Sequence, residues 1–263
     1  GVSGPFALQG RIAEDLLRAG KHVFMEKPMA VSVARAEAIV DAVKTSGKRL
    51  MAGYMKRFDP GNLLLKKRLD ERRSSGEAVV FARNHGFGGN WVYGQDPNVT
   101  EQRDDSPRPV SPSSDTPDWL PEKWINPYLG YLQQWTHNLN LLRFFLDDTG
   151  GKTRVKGVHL NSDGMTGIVV LDINGVRAVV ESAYIKYHAW DEHTQIYTAN
   201  GWLRTAAPPL MQKEVSATVE IYRAADGDNP ARLIQEMAPP AWSYREEAKH
   251  FLQCVHSGEP FRS

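Results

Sequence analysis

Cysteine is nearly absent from this sequence: Cys254 is the only one in 263 residues. A single cysteine excludes an internal disulfide and a thiolate-rich metal site. No apolar run approaches the roughly 18 residues that a membrane-spanning helix needs, and residues 1–20 lack the shape of a signal peptide. We therefore expect a protein of a reducing compartment, the cytoplasm.

An excess of charge of either sign is also lacking. The chain has 32 Lys and Arg against 31 Asp and Glu, a formal net charge of +1. Such a balance gives no field that would attract nucleic acid or an anionic membrane surface. We therefore expect neither as a partner, whereas small neutral ligands are compatible with this charge.

A third absence is the glycine-rich loop of dinucleotide-binding domains, because no Gly-x-Gly-x-x-Gly motif follows a predicted strand. The first residues nevertheless alternate between helix and strand, with helices over 8–19 and 33–46 and strands over 22–26 and 50–54. Short joints between such elements are typical of a parallel crossover sheet. We interpret residues 1–58 as the C-terminal half of a dinucleotide-binding (Rossmann) domain and expect the chain to begin within that domain.

The remaining residues, 59–263, predict an α+β domain for substrate binding and oligomerisation. Alternating runs and Asn-Gly turns indicate a large, mainly antiparallel sheet. The other predicted features are a basic helix over 61–73, a strand over 77–83, a long insertion over 84–127 and a last helix over 243–257 that packs back on the first domain. The fold class is thus α/β, a partial Rossmann-type parallel sheet followed by an α+β domain.

The segment Met25-Glu26-Lys27-Pro28 follows a strand directly. In open parallel sheets, ligands bind outside the carboxyl ends of the strands, so Lys27 is placed where such a fold performs its chemistry. A lysine in a partly desolvated crevice beside a cationic ring would have a lowered pKa, suited to proton transfer. The alternative is an ordinary surface lysine.

A polar stripe marks a predicted helix over 130–147. Gln133, His137 and Asn140 lie four and three residues apart, which places them on one helical face among apolar residues. Buried polar groups need partners, so the stripe either bonds internally or lines a polar pocket. For His137 alone, a bonded core histidine is the alternative to a proton-transfer group.

Two further segments carry ligand-type side chains. Trp91 and Tyr93, beside the glycine-rich residues 85–90, could stack on a sugar ring in a substrate-side loop, with a packed loop as the alternative. His188, Asp191, Glu192 and His193 are interpreted as a solvated hairpin. We therefore predict no metal site.

Several segments, taken in order, resemble the Gfo/Idh/MocA oxidoreductases, which use NAD or NADP mostly on sugars and polyols. They are Gly4-Pro5 through Glu26-Lys27-Pro28, the run Ala52–Pro60, the helix with His137, the run Glu247–Phe251 and Gly258-Glu259-Pro260. The resemblance spans nearly the whole chain, and the ordered set carries its specificity.

This resemblance implies hydride transfer between a sugar or polyol-like carbinol and NAD or NADP. It makes Lys27 the residue that binds the reacting hydroxyl and relays its proton, and His137 the partner acid or base. The implied sites are as follows: catalytic, Lys27, His137 and Gln133; cofactor-binding, Pro5, Glu26, Lys27, Pro28 and Arg57; substrate-binding, Asn140, Trp91 and Tyr93. A homo-oligomer formed through the open sheet face is also expected.

The sequence departs from the family pattern at two positions. Gln133 stands where many members have Asp, and Gln9 where many have His. An amide orients a hydroxyl but does not take its proton. Two alternatives therefore stay open: a glycosidase that uses NAD for transient oxidation, and a non-catalytic regulator that senses a ligand.

Overall fold

The structure is a computed structural model that describes residues 1–4, 6–89, 115–147, 150–185, 190–206, 208–209 and 212–263. The chain forms two compact units, each described by itself. The described residues of the first unit fall within 1–54, 115–136 and 247–263, and those of the second within 55–89 and 137–246. The domain boundary at residues 58 and 59 stays a prediction.

The helices are α1 (Phe6–Arg18), α2 (Val33–Ser46), α3 (Pro60–Ser74), α4 (Ile125–Gln134), α5 (Thr136–Phe145) and α6 (Ser243–Ser257), with short 3-10 helices at Met55–Phe58 and Glu122–Trp124. The strands are β1 (Val23–Glu26), β2 (Leu50–Gly53), β3 (Val79–Gly89), β4 (Thr153–Leu160), β5 (Gly167–Ile173), β6 (Val176–Ile185), β7 (Trp190–Thr198), β8 (Gly201–Ala206), β9 (Thr218–Arg223) and β10 (Arg232–Met237). Among the described residues, no helix combines the length and apolarity needed to cross a membrane.

In the first unit, β1 and β2 pair in parallel, as the helix and strand alternation predicted. The connecting helix α2 begins where Ser32 accepts a hydrogen bond from the Arg35 backbone N–H at 3.3 Å. It ends at Gly47, whose φ of 64° is the left-handed conformation that glycine adopts without strain. The parallel pairing brings the carboxyl ends of both strands to one edge of the sheet.

The core of the first unit is apolar and lies between the two helices and β1. Ala13 and Leu17 of α1 pack with Ile39 and Ala42 of α2, together with Val2, Val23 and Met25. Phe251 of α6 stacks on Phe24 of β1, with ring centroids 5.4 Å apart. The residues of α6 from Glu247 onward therefore share a unit with β1.

The second unit is built on an eight-stranded sheet with the order β10-β9-β8-β7-β3-β6-β5-β4. Every neighbouring pair is antiparallel except β3 and β6, so the prediction of a mainly antiparallel sheet is confirmed. One face is covered by α3 and α5, whose leucines and Phe145 pack on strand residues such as Ala82, Val180 and Ile196. The opposite face carries half-buried and exposed side chains.

Two expectations about these elements were wrong. The helix predicted over 130–147 is two helices, α4 and α5, which are interrupted at the buried Trp135 (φ −90°, ψ −3°), whose ring packs on Tyr131. Strand β3 continues to Gly89, so the glycine-rich residues 85–89 are strand and not loop.

Gly86 explains why a glycine-rich segment forms a central strand. A side chain there would place its Cβ 2.4 Å from Nδ2 of Asn138. The amide of Asn138 donates to Oδ1 of Asn84 at 2.5 Å, and Asn84 donates to Thr194 at 2.7 Å. Because Gly86 has no side chain, Asn138 has the space that it needs to form this buried hydrogen-bond network.

We predict that Gly86→Ala lowers the free energy of unfolding by about 1–3 kcal/mol, since the methyl group displaces Asn138 from its hydrogen bond. Gly150→Ala is the matched control, because its Cβ would meet only Cε of Lys152 at 4.0 Å. Denaturant unfolding measures both. Equal stability of the two variants would contradict this account of Gly86.

Candidate active site

Lys27 lies at the carboxyl edge of the parallel sheet, immediately after the last residue of β1. Its Nζ donates a hydrogen bond of 2.5 Å to the carbonyl oxygen of Gln133, near the C-terminus of α4. Helix C-termini carry a partial negative charge, so an ammonium group is stabilised there. The predicted placement of Lys27 at the sheet edge is therefore found, and its catalytic role stays a prediction.

The backbone after Lys27 is fixed from two sides. The buried Gln9 donates from Nε2 to the carbonyl of Pro28 at 2.6 Å. The hydroxyl of Tyr128, on α4, donates to the carbonyl of Val31 at 2.7 Å. Gln9, which replaces a histidine of the family pattern, thus holds the segment that carries the candidate catalytic lysine.

Two carboxyl groups meet at the same edge. Glu26 ends β1 directly opposite Gly53 of β2, and its Oε2 accepts the Lys27 backbone N–H at 3.3 Å. Glu247 of α6 is 1% exposed, and its Oε2 lies 3.6 Å from the position that a Gly53 Cβ would occupy. Burial, and then the charge of Glu26, raise the pKa of Glu247 to about 8.

Sequence reasoning did not single out Glu247 as a site residue. Its signal was present, because an acid stands on the inward stripe of α6 formed with the buried Ser243 and Cys254. A carboxyl group among inward positions of an amphipathic helix is expensive unless it is protonated or paired. Such a position is a candidate for function.

His137 and Asn138 are buried in the second unit, on α5. Asn140 accepts at Oδ1 from Nε of Arg57 at 2.5 Å, so the structure brings together a predicted substrate-binding residue and a predicted cofactor-binding residue. Gln133 is exposed on α4, and the interruption at Trp135 separates it from the helix that carries His137. The three residues of the predicted polar stripe therefore do not share one continuous helix.

A buried ion pair is the other feature that sequence reasoning missed. Lys56 Nζ donates to both carboxylate oxygens of Glu192, and the two residues are 2% and 4% exposed. Asp59, which caps α3 by accepting the Asn62 N–H at 3.1 Å, lies beside them. Burial and the charge of Glu192 raise the pKa of Asp59.

The interpretation of residues 188–193 as a solvated hairpin was wrong for Glu192. Residues 191–193 belong to β7, and strand alternation turns Glu192 inward to Lys56. His193 lies on the opposite face, where Asp191 approaches its Nδ1 at 3.3 Å. No group of three or more metal-ligating side chains occurs in the part of the chain that the structure describes.

Three predicted site residues, Pro5, Trp91 and Tyr93, lie outside the described residues. The predicted cofactor residues Glu26, Lys27 and Pro28 follow one another at the edge of the parallel sheet in the first unit, whereas Arg57 lies in the second. Their binding roles stay predictions.

Comparison with known proteins finds similarity to oxidoreductases that are named for sugars and polyols. Residues 2–54 match the model of an oxidoreductase family with an NAD-binding Rossmann fold. D-xylose 1-dehydrogenase (NADP(+)) 2 of Haloferax volcanii is 26% identical over 91% of this chain and 64% of its own length. Inositol 2-dehydrogenase of Agrobacterium fabrum is 29% identical over 78% of this chain and 53% of its own length. The chain thus spans less than two thirds of either relative.

Solved structures share the fold. The 3-ketoreductase KijD10 of Actinomadura kijaniata, in complex with NADP and TDP-benzene, aligns with a TM-score of 0.67 at 20% identity, over 98% of this chain and 70% of that one. The structure of a putative NADPH-dependent oxidoreductase of Desulfitobacterium hafniense gives a TM-score of 0.70 at 15% identity, again over 98% of this chain and 70% of that one. The α/β fold predicted from the sequence is confirmed.

The buried ion pair yields a stability prediction. Lys56→Met and Glu192→Gln alone should each lower the free energy of unfolding by about 3–5 kcal/mol. Each substitution leaves the other member of the pair as a buried charge without an ionic partner. The double variant should cost clearly less than the sum of the two single losses.

Arg245→Gln is the matched control, since Arg245 pairs with Glu214 at the surface of the same unit and its loss should cost less than about 1 kcal/mol. Urea unfolding of wild type and the four variants measures these values. Additive losses for Lys56 and Glu192 would contradict the account.

Proposed function

We propose that this chain, which belongs to the Gfo/Idh/MocA oxidoreductase family, serves an NAD(P)-dependent dehydrogenase that transfers hydride between a sugar or polyol-like carbinol and nicotinamide. The observation that carries the proposal is the position of Lys27. It follows a parallel strand at the sheet's carboxyl edge, within the stretch that matches the family model. Ligands of open parallel sheets bind at that edge.

The described residues of the first unit fit the nicotinamide end of such a cofactor. Glu26 has a half-buried carboxylate that can accept hydrogen bonds from hydroxyl groups of the cofactor. Lys27 and Pro28 follow it along the same edge. Glu247, buried with one oxygen lacking a hydrogen-bond partner among the described residues, makes the edge polar. When bound, the oxidised nicotinamide supplies the hydride acceptor.

The chain's own residues would handle the proton. Lys27 hydrogen-bonds to the reacting hydroxyl, orients the carbinol and relays the hydroxyl proton while the carbonyl forms. His137 serves as the partner acid or base, and the amide of Gln133 orients a substrate hydroxyl. Asn140 and Arg57 are hydrogen-bonded to each other. In this proposal Asn140 contacts the substrate and Arg57 the cofactor.

Lys27→Met is expected to lower kcat/KM by about 10²–10⁴-fold, because it removes the proton-transfer group. Reduced-nicotinamide formation by the full-length gene product, across a panel of sugars, polyols and glycosides, measures the effect. Lys44→Met is the matched control, since Lys44 is 72% exposed on α2 of the same unit.

Retained turnover in Lys27→Met would remove the assigned role of Lys27. Cofactor binding without oxidation of any compound would favour the non-catalytic regulator. Net hydrolysis of a glycoside without accumulation of reduced cofactor would favour the glycosidase.

We further propose that the open sheet face of the second unit pairs with a second copy of this chain. The face carries Phe81 tilted on Tyr197 and Trp202 stacked on Tyr222. Two of its charge pairs are Arg83 with Glu181 at 2.6 Å and Arg204 with Glu220 at 3.2 Å. A face that carries aromatic side chains and paired charges suits a second identical face.

Tyr197→Glu should shift the protein toward the monomer, because it places a carboxylate beside the ring of Phe81 at the centre of this face, where a second copy would desolvate it. Sedimentation velocity over a range of concentrations measures the shift. Val33→Glu, at a 74% exposed position of α2, is the control. A wild-type protein that is monomeric at high concentration, or a Tyr197→Glu dimer, would contradict this proposal.

A further inference from the structure

Glu247 is a buried carboxyl group with an unsatisfied oxygen. It is 1% exposed, and its Oε1 has no hydrogen-bond partner among the described residues. The backbone N–H of Tyr54, just past β2, is the donor that reaches this carboxyl group. A buried acceptor with a single backbone donor is costly when ionised, since desolvation penalises the charged form.

A second carboxyl group faces the same point. Gly53 is the register partner of Glu26, and Gly53 is also the residue over which the Glu247 carboxyl lies. The charge of Glu26 acts on Glu247 in the direction that favours its protonated form. Two carboxylates near one partly desolvated site repel each other when both are ionised, which favours the protonated form of the buried Glu247.

Several other titratable groups of the packed elements have partners of their own among the described residues. On α6, Glu246 accepts from Arg245 at 2.9 Å, and His250 accepts the Arg262 backbone N–H at 3.0 Å. On the β1 side, Lys27 directs its Nζ to the carbonyl of Gln133. After β2, Tyr54 approaches Thr136 with its hydroxyl at 3.3 Å.

We propose that Glu26 and Glu247 share one proton at neutral pH, and that Glu247 is a positioning residue that holds the Glu26 carboxylate through this proton. Glu26 in turn accepts the backbone N–H of Lys27, so the pair fixes the backbone from which the lysine side chain extends. The inference rests on the proposed function only for the role of Lys27. The shared proton is a property of the first unit and is tested separately.

The pair has a consequence for pH dependence. Above about pH 8, where Glu247 ionises, Glu26 loses its donor and faces a second negative charge. The Lys27 backbone is then no longer held, and kcat/KM should fall on the alkaline side with the loss of this proton.

Infrared difference spectroscopy of the chain itself detects the shared proton. Between neutral pH and about pH 10, wild type should lose one C=O band of a protonated carboxyl group. This pH range lies well above the reference pKa of a free Glu. Glu247→Gln should lack the band, and Glu246→Gln, the neighbouring acid on α6, should retain it. Absence of the band from wild type at neutral pH, or its persistence in Glu247→Gln, overturns the shared proton.

The pH profile of kcat/KM of the full-length gene product tests the positioning role. Glu247→Gln keeps a hydrogen-bond donor that does not ionise, so the alkaline fall should move to higher pH. Glu247→Ala removes the donor and should lower kcat/KM about tenfold. Glu247→Gln should keep most of the wild-type kcat/KM. A profile unchanged in Glu247→Gln overturns the positioning role. A wild type without turnover overturns the proposed function and this role with it, while the infrared band still decides the shared proton.

Discussion

Parallel hydrogen bonding between β1 and β2 determines where the chemical groups of the first unit lie. It places Glu26 opposite Gly53 and ends both strands at one edge, so the residue after β1, Lys27, extends from that edge. Glu247 of α6 lies over Gly53, with its Oε2 3.6 Å from the position that a Gly53 Cβ would occupy. A substitution that shifted this register would move all of these groups together, because each is held relative to the strands.

In the buried interior of the second unit, two pairs of polar side chains are matched to each other. Lys56 is matched to Glu192, and Asn138 to Asn84. These contacts connect α5 and the segment before α3 to the central strands β3 and β7. They restrict how the helix that carries His137 packs on the sheet, because a mismatched group would remain buried without a partner.

The sequence predicted the elements of the first unit from the alternation of helix and strand patterns. Helix α2 was found over the predicted residues 33–46, and strands β1 and β2 lie within the predicted ranges 22–26 and 50–54. Strand β10 was missed because it is an almost fully exposed edge strand without an inward face. The extension of β3 was missed because Gly86 makes room for a residue of a distant helix. Lys27 was recognised from its local motif, whereas Glu247 and Glu192 gain their meaning only from partners far along the chain.

The central claim is that Lys27 transfers the carbinol proton at the sheet edge. Chemical rescue of Lys27→Ala by small primary amines tests it most directly, since an added amine can replace the missing group in the space it leaves. The account predicts that turnover of the full-length gene product returns with added amine and that the rescued rate depends on the amine's pKa. A variant that loses activity and is not rescued by any amine, while it still binds cofactor and folds as wild type does, would contradict the claim.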